Sequence, residues 1–298
     1  MTAATPAGTH MPTSTPAASL IGPIEAPGLH VMTFNVRRRL MMPSRRADRW
    51  MRRAPRIRAL LQSERPSLLG VQEALPDQAS FVRHTLGDSY RSVGRGRNAD
   101  GGGEQCPLFY DNDRLELLDW QQLSLSDRPS VAASTSWGNI IPRMYVIASL
   151  RDRRTGARFD AINTHFDHLS RHARLCSAWT LRQRVAASGV PTIVMGDLNT
   201  GEHSAPIAEL LAAGVLGDAW EVSDERLTPE WGTFANYSEP RRDRKRIDWI
   251  AVTPSIGIQR VAINPRTYGG GWPSDHLPVQ AVMNIPVSAH PAPAGGVA

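Results

Sequence analysis

Carboxylates, amides and imidazoles recur at the ends of short apolar runs in this chain, and such residues at such positions can do chemistry. Asn35 closes Val31-Met-Thr-Phe-Asn, Glu73 closes Leu68-Leu-Gly-Val-Gln-Glu, and Asp197 and Asn199 close Ile193-Val-Met-Gly-Asp-Leu-Asn. His165 ends Ala161-Ile-Asn-Thr-His, Asp275 and His276 stand just before another apolar run, and Asp248 lies within one more. A single carboxylate at a strand end is usually a solvated loop residue. Several that converge on one sheet edge would build a hard-cation site, and oxygen ligands from Asp, Glu and Asn suit Mg²⁺ or Mn²⁺, not zinc. Histidines beside such a cation suit proton transfer or charge stabilisation during hydrolysis. A carboxylate on the far ring nitrogen would fix each tautomer. Glu104 and Asp248 are the candidates, and spacing alone does not pair them.

The elements that must position these groups read as strands and helices in alternation. Strand-like runs occupy 29–35, 67–73, 106–110, 144–150, 159–164, 192–196, 247–253 and 278–285. The Gly-containing stretch 152–157 joins two of them as a β-hairpin would. Trp50, Ala54, Ile57 and Leu61 step by four, three and four, which puts one apolar stripe on a helix. Residues 170–187 and 204–213 are further helices, with Pro206 early in the latter, where proline is tolerated. Many strands with helices between them predict a layered α/β protein with two sheets packed face to face.

Ala, Thr and Pro make up 16 of the first 27 residues. That composition cannot bury enough apolar surface to offset its chain entropy, so residues 1–27 are expected to form a disordered tail. Residues 287–298 are expected to do the same, leaving one domain over 28–286. The hydrophobic fraction of 41% suffices for a full core. The net charge of +6 is compatible with an anionic partner, but 33 of the 34 basic residues are arginine, Lys245 being the exception. That skew matches the codon usage of a GC-rich genome and carries little weight for nucleic-acid binding. Cys106 and Cys176 form neither a CxxC pair nor a disulfide framework, and are expected to be small buried hydrophobes in a reducing compartment. No apolar run is long enough to span a membrane and no signal-peptide pattern precedes Arg37, so a cytoplasmic monomer without membrane insertion is the expectation.

Taken in order, Thr-Phe-Asn35-Val, Gly-Val-Gln-Glu73-Ala, Gly-Glu104-Gln-Cys-Pro-Leu-Phe-Tyr, Asn-Thr-His165-Phe-Asp, Gly-Asp197-Leu-Asn199-Thr, Arg-Ile-Asp248-Trp-Ile and Ser-Asp275-His276-Leu-Pro-Val form a series. That series resembles the endonuclease/exonuclease/phosphatase superfamily, across nearly all of residues 29–285. The resemblance implies a four-layered α/β/β/α sandwich with two packed mixed β-sheets. It implies a hydrolase dependent on Mg²⁺ or Mn²⁺ that cleaves phosphoesters by in-line attack of water. Asn35, Glu73 and Asp275 are then ligands of the principal metal. Asp197 and Asn199 hold the attacking water and the phosphoryl oxygens, with a second metal as an option. His276, oriented by Asp248, takes the part of the general base. His165, oriented by Glu104, stabilises charge on the phosphate or serves as acid. Arg143 lies where an arginine meets the scissile phosphate in some members; an isolated surface arginine is the other reading.

Substrate is less legible. A nuclease or nucleotide phosphodiesterase is the leading expectation, beside a lipid or small-metabolite phosphatase and a catalytically inert nucleic-acid-binding module on the same fold. The segment 37–58 carries ten arginines and one acid, Asp48. It is either a phosphate-tracking flank or the solvated face of the helix described above. Among Trp137, Trp231, Phe234 and Trp272, the last is the candidate for stacking on a base, because a flexible Gly269-Gly-Gly loop precedes it. His168 is a further ligand or substrate contact in reach of the same motif.

Overall fold

A computed structural model describes residues 18–43 and 45–287. The strands are β1 (Gly28–Asn35), β2 (Leu68–Gln72), β3 (Tyr90–Val93), β4 (Leu108–Asp111), β5 (Leu115–Ser124), β6 (Met144–Asp152) and β7 (Arg158–His165). They continue as β8 (Thr192–Asp197), β9 (Gly217–Asp218), β10 (Glu225–Arg226), β11 (Asp248–Val252), β12 (Gly257–Ile263) and β13 (Val279–Asn284). Four helices accompany them: α1 (Trp50–Glu64), α2 (Pro76–Leu86), α3 (Arg171–Ser188) and α4 (Ala205–Leu210). One mixed sheet has seven strands in the order β10-β12-β13-β1-β2-β4-β3, and the other has six in the order β5-β6-β7-β8-β11-β9.

Alternation along the central strands makes the layers. Leu29 and Val31 of β1 point into the space between the sheets, where they meet Ile193 and Met195 of β8 and Ile250 of β11. Met32 and Phe34 point outward and are covered by Ile57, Leu60 and Leu61 of α1 and Val82 of α2. Val194 and Trp249 face outward from the second sheet under Leu181 and Val185 of α3 and Ile207 of α4. Period-two strands with two buried faces, one packed on the other sheet and one covered by helices of period 3.6, give the α/β/β/α sandwich. The two sheets also meet through a buried polar plug. Asn163 of β7 donates to the carbonyls of Val71 (2.8 Å) and Pro107 (2.9 Å) and accepts from Gln72 (2.7 Å).

Register then brings the polar strand ends to one edge. β1 and β2 run parallel with Asn35 opposite Gln72, and β7 and β8 run parallel with His165 opposite Asp197. β11 runs antiparallel to β8 and starts at this edge, Asp248 opposite Asp197. β13 is antiparallel to β1, so Asp275 and His276, which immediately precede it, arrive there too.

The expected tail over 1–27 is too long. Leu20, Ile21 and Gly22 direct their backbone N–H groups onto the carboxylate of Glu64, at 2.7, 3.0 and 3.1 Å. Glu64 ends α1 with no solvent exposure, and the imidazole of His30, equally buried, holds the Gly22 carbonyl at 2.8 Å. Burial pulls the His30 imidazole down to about 4, so it stays neutral in this packing. Ala/Pro composition hid these contacts because they are made by backbone, which composition does not register. Residues 1–17 and 288–298, the remainder of the two expected tails, lie outside the described residues. Cys106 is buried as expected, whereas Cys176 is only partly covered on α3. No helix among the described residues is long and apolar enough to cross a membrane.

Removing the donors to a buried carboxylate costs about 1.5–3 kcal/mol per charged hydrogen bond at the upper end. A chain lacking residues 2–24 is therefore expected to melt at least ~5 °C below one lacking residues 2–17, with specific activity per folded molecule within twofold. Calorimetry of the two truncations checks this; equal melting temperatures would remove the Glu64 clasp from the account.

Candidate active site

The converging strand ends line a cleft of about 480 Å³ whose walls include Glu73, Glu104, Arg143, His165, Asp197, Asn199, Asp275 and His276. Asn35 sits beneath it, fully buried, and its amide bridges the two sheets: Nδ2 donates to Glu73 Oε1 at 3.1 Å and to Asp197 Oδ2 at 2.9 Å. Its Oδ1 accepts from the Arg37 N–H at 2.9 Å. The chain is strained here. Arg37, Glu73 and Asn199 have φ of 56°, 61° and 51°, left-handed values that side chains other than glycine rarely adopt and that gather at functional sites. Gly196 explains the Gly of Gly-Asp-Leu-Asn, since its φ is 148° and a Cβ would run into the Thr164 carbonyl of the neighbouring strand.

Asp248 Oδ2 lies 2.8 Å from His276 Nδ1, with Asp248 wholly buried. This leaves His276 Nε2 facing Asp197 Oδ2 at 3.8 Å, and His165 Nε2 approaches the same oxygen at 3.5 Å. Asp197 Oδ1 accepts from the Asn199 N–H at 2.9 Å, and the Asn199 side-chain amide donates to the Phe166 carbonyl at 3.0 Å. Burial and the neighbouring Asp248 push Asp197 up to about 7. Burial alone would depress His276, but the Asp248 and Asp197 carboxylates hold it well above its ordinary value. His165 goes the other way: burial first, then the Arg143 guanidinium, keep it well below and neutral. Burial raises Asp275 as well, whereas His276, Asn35 and the Arg38 N–H outweigh it for Glu73, which is lowered.

Arg37 places its guanidinium among Glu73 (3.7 Å), Asp275 (3.5 Å) and Asp48 (3.6 Å). A side-chain cation thus stands where buried carboxylates gather, and the donor set around it is all oxygen. Asn35, Glu73 and Asp275 fit a divalent cation of the Mg²⁺ or Mn²⁺ type on both counts. Asp197, Asp248 and His276 also bring ligand atoms within 4.8 Å of one another. Asp248 commits one of those atoms to the imidazole, so this second group is organised as a hydrogen-bonded pair beside Asp197.

Two expected placements fail. Glu104 does not orient His165: its oxygens are taken by Arg97, at 2.8 and 2.8 Å, and by Arg38 at 3.1 Å. Two guanidinium groups outcompete a buried, neutral imidazole for a carboxylate. Trp272 does not overhang the cleft but packs, partly buried, against the core between the sheets. The aromatic at the cleft is Phe234, 45% exposed and edge-on to His276 with centroids 5.1 Å apart. Arg143 does line the cleft, at 5% exposure, held by Asp167 (3.5 Å) and His168 Nδ1 (2.9 Å). The arginines of 37–58 divide among tasks. Arg53 is fully buried and donates to the carbonyls of Val36 (2.6 Å) and Arg37 (3.1 Å), fixing the turn after Asn35. Arg37 and Arg38 face the cleft. Arg97 and Asn236, which also line it, carried no signal in the sequence because the loops that bear them have no periodic pattern; Asp167 stood unremarked inside the His165 motif.

The endonuclease/exonuclease/phosphatase family model matches residues 32–276. The chain belongs to the endonuclease/exonuclease/phosphatase family. Among solved structures, a mannosyl-6-phosphatase from Bacteroides thetaiotaomicron is 28% identical, with 86% of this chain and 99% of that one covered and a TM-score of 0.80. An endonuclease/exonuclease/phosphatase family protein from the same organism is 29% identical, with 86% and 97% covered and a TM-score of 0.81. The human nocturnin catalytic domain, solved with a sulfate anion, shares the fold at 17% identity, 86% and 93% coverage and a TM-score of 0.64. No curated protein matches the sequence. An endonuclease/exonuclease/phosphatase chain is a phosphoesterase by fold.

Charges buried side by side in such a cleft oppose folding. In protein freed of divalent cations, Asp197→Asn keeps the shape and removes one carboxylate from beside Asp248. Its melting temperature in EDTA is expected to equal or exceed that of the wild type, by up to ~3 °C. A drop of more than ~5 °C would mean that Asp197 is a structural pillar and not a strained site residue.

Proposed function

We propose that this chain is a divalent-cation-dependent phosphoesterase that hydrolyses a phosphate monoester of a sugar-like alcohol by in-line attack of water. The observation that carries the reading is the Asn35 bridge, which holds Glu73 and Asp197, carboxylates from opposite sheets, around one cleft together with the Asp248–His276 pair. Inert binding of an anion would gain nothing from buried carboxylates, so the binding-module alternative lacks support. A divalent cation held by Asn35, Glu73 and Asp275 would supply positive charge for the phosphoryl oxygens.

The chain's own residues would do the rest. Nε2 of His276 and Oδ2 of Asp197 lie 3.8 Å apart, and with one proton on the pair the other member would accept the proton of the attacking water. Asp248 fixes the His276 ring through Nδ1. Asn199, whose amide N–H is committed to the Phe166 carbonyl, would offer its amide oxygen to the cleft. His165, kept neutral, donates a hydrogen bond to a non-bridging oxygen, and Arg143 and Arg97 add charge that grows in effect as the phosphoryl group departs.

The choice of alcohol follows from what the arginines and Trp272 turn out to do. Arg53 is buried, Arg39 pairs with Asp77 and Trp272 packs against the core, so of these features only Arg37 and Arg38 stand at the cleft. A mannosyl-6-phosphatase among the structures most like this one points the same way. Nuclease action, the leading expectation from sequence, is the competing outcome. Localisation in the cytoplasm and a monomeric state remain part of the proposal, on composition alone.

EDTA is expected to abolish hydrolysis, and Mg²⁺ or Mn²⁺ to restore it. Asp197→Asn and His276→Ala should each lower kcat about 10³-fold or more, and Asp248→Asn about 10–100-fold because it acts through the ring. Affinity for an uncleavable phosphonate analogue should change less than tenfold in all three. Turnover with hexose 6-phosphates, p-nitrophenyl phosphate and oligonucleotides, measured beside analogue affinity, decides. Near wild-type turnover in both Asp197→Asn and His276→Ala would overturn the catalytic assignment.

A further inference from the structure

A second cavity, about 650 Å³, opens beside the cleft. Arg97 and Arg143 line both. The two hollows thus adjoin at those two side chains. Its floor is the β5 surface around Trp120 and Gln122, and its walls are the loops 95–101 and 129–133. Both walls are fastened. The Arg95 N–H donates to Gln122 Oε1 at 2.7 Å, Gly96 N–H to the Gly101 carbonyl at 2.8 Å, and Ser124 Oγ to the Val131 carbonyl at 2.8 Å. A preformed hollow of this size lies in the range of small-molecule sites, roughly 300–1,000 Å³.

Its chemistry selects a ligand class. Four charged side chains line it. Arg97 is paired with Glu104 and Arg143 with Asp167, and beyond these stand Arg95 and Asp100, of opposite sign. A polyanion needs a row of unpaired cations along its path, and of the three arginines here two are ion-paired and the third lies over Trp120. What the cavity offers instead is the Trp120 indole with the Arg95 guanidinium over it, 5.5 Å from its centroid, and the Asp100 carboxylate. An indole flanked by guanidinium and carboxylate partners matches a ring that carries hydroxyl groups on its edges.

We propose that this cavity is a subsite for the uncharged, polyhydroxylated part of the substrate, a sugar unit beyond the one that bears the phosphate. The proposal rests on the sugar-phosphate reading above and adds a place for a second ring. The test compares wild type with Trp120→Ala and Asp100→Ala on a disaccharide 6-phosphate, a hexose 6-phosphate, p-nitrophenyl phosphate and a 5′-phosphorylated tetranucleotide. Asp100 lies on an exposed loop and keeps the test alive if Trp120→Ala fails to fold. Both variants should raise KM for the disaccharide phosphate about tenfold, with kcat and all p-nitrophenyl phosphate kinetics within twofold. Losses shared by every substrate, no loss on any, or a loss confined to the tetranucleotide would overturn the subsite. Saturation-transfer NMR with the unphosphorylated disaccharide needs no turnover: signal in wild type that is lost in the variants supports the subsite, and its absence in wild type refutes it. A wild type that cleaves p-nitrophenyl phosphate but no sugar phosphate refutes the sugar class while leaving the phosphoesterase standing.

Discussion

Everything at the functional edge depends on keeping several carboxylates buried in one place, and the Asn35 amide is the group that does it. It stands at the end of β1 and offers its two N–H bonds to Glu73 on one side and Asp197 on the other. Like charges brought out of water raise one another's proton affinity and push the sheets apart. A neutral donor that binds both carboxylates at once offsets part of that cost without adding a fixed charge that would compete with a bound cation. The Asn163–Gln72 plug just below repeats the device in neutral form and fixes how closely the sheets approach at this end.

Positive charge is distributed so that each cation has a defined holder. Glu104 ties Arg97 and Arg38 to one wall of the cleft, Asp167 ties Arg143 to another, and Asp48 lies beside Arg37. Such pairs gain little as stability devices, because taking both charges from water costs about as much as their attraction returns. Their effect is positional: a guanidinium held in place needs no reorganisation when a phosphate arrives. Arg53 acts one step back, clamping the carbonyls of residues 36–37 from inside α1. Its side chain converts helix packing into the strained turn that aims Arg37 at the carboxylates.

The same logic separates the two histidines. Burial favours the neutral form of both rings; two carboxylates override it at His276, whereas the arginines beside His165 reinforce it. Two chemically identical rings about one phosphate-sized space acquire different roles from their neighbours alone. The second cavity adjoins this asymmetric cleft at Arg97 and Arg143.

How far the sequence reaches is visible residue by residue. Strands β1, β2, β7, β8 and β11 were legible because apolar runs ending in Asn, Glu, His or Asp leave few alternatives. The helix stripe at Ile57 and Leu61 was legible because a 3.6 period is a local property. The ordered motifs likewise named the family and its acids, amides and histidines. Strands β3, β5, β9, β10 and β12 and helix α2 were not read, since their patterns are weak and their stability comes from neighbours distant in the chain. Partnership was the other blind spot. Glu104 faces Arg97 and Arg38 instead of His165, Trp272 packs inward, and Leu20–Gly22 cap Glu64, all through contacts that only the closed sandwich creates. By itself the sequence determined which chemical groups stand at the strand ends, because strand and side chain share a local code. Only the tertiary structure decided which of them touch, because hydrogen bonding and charge pairing depend on distances that register and sheet packing set.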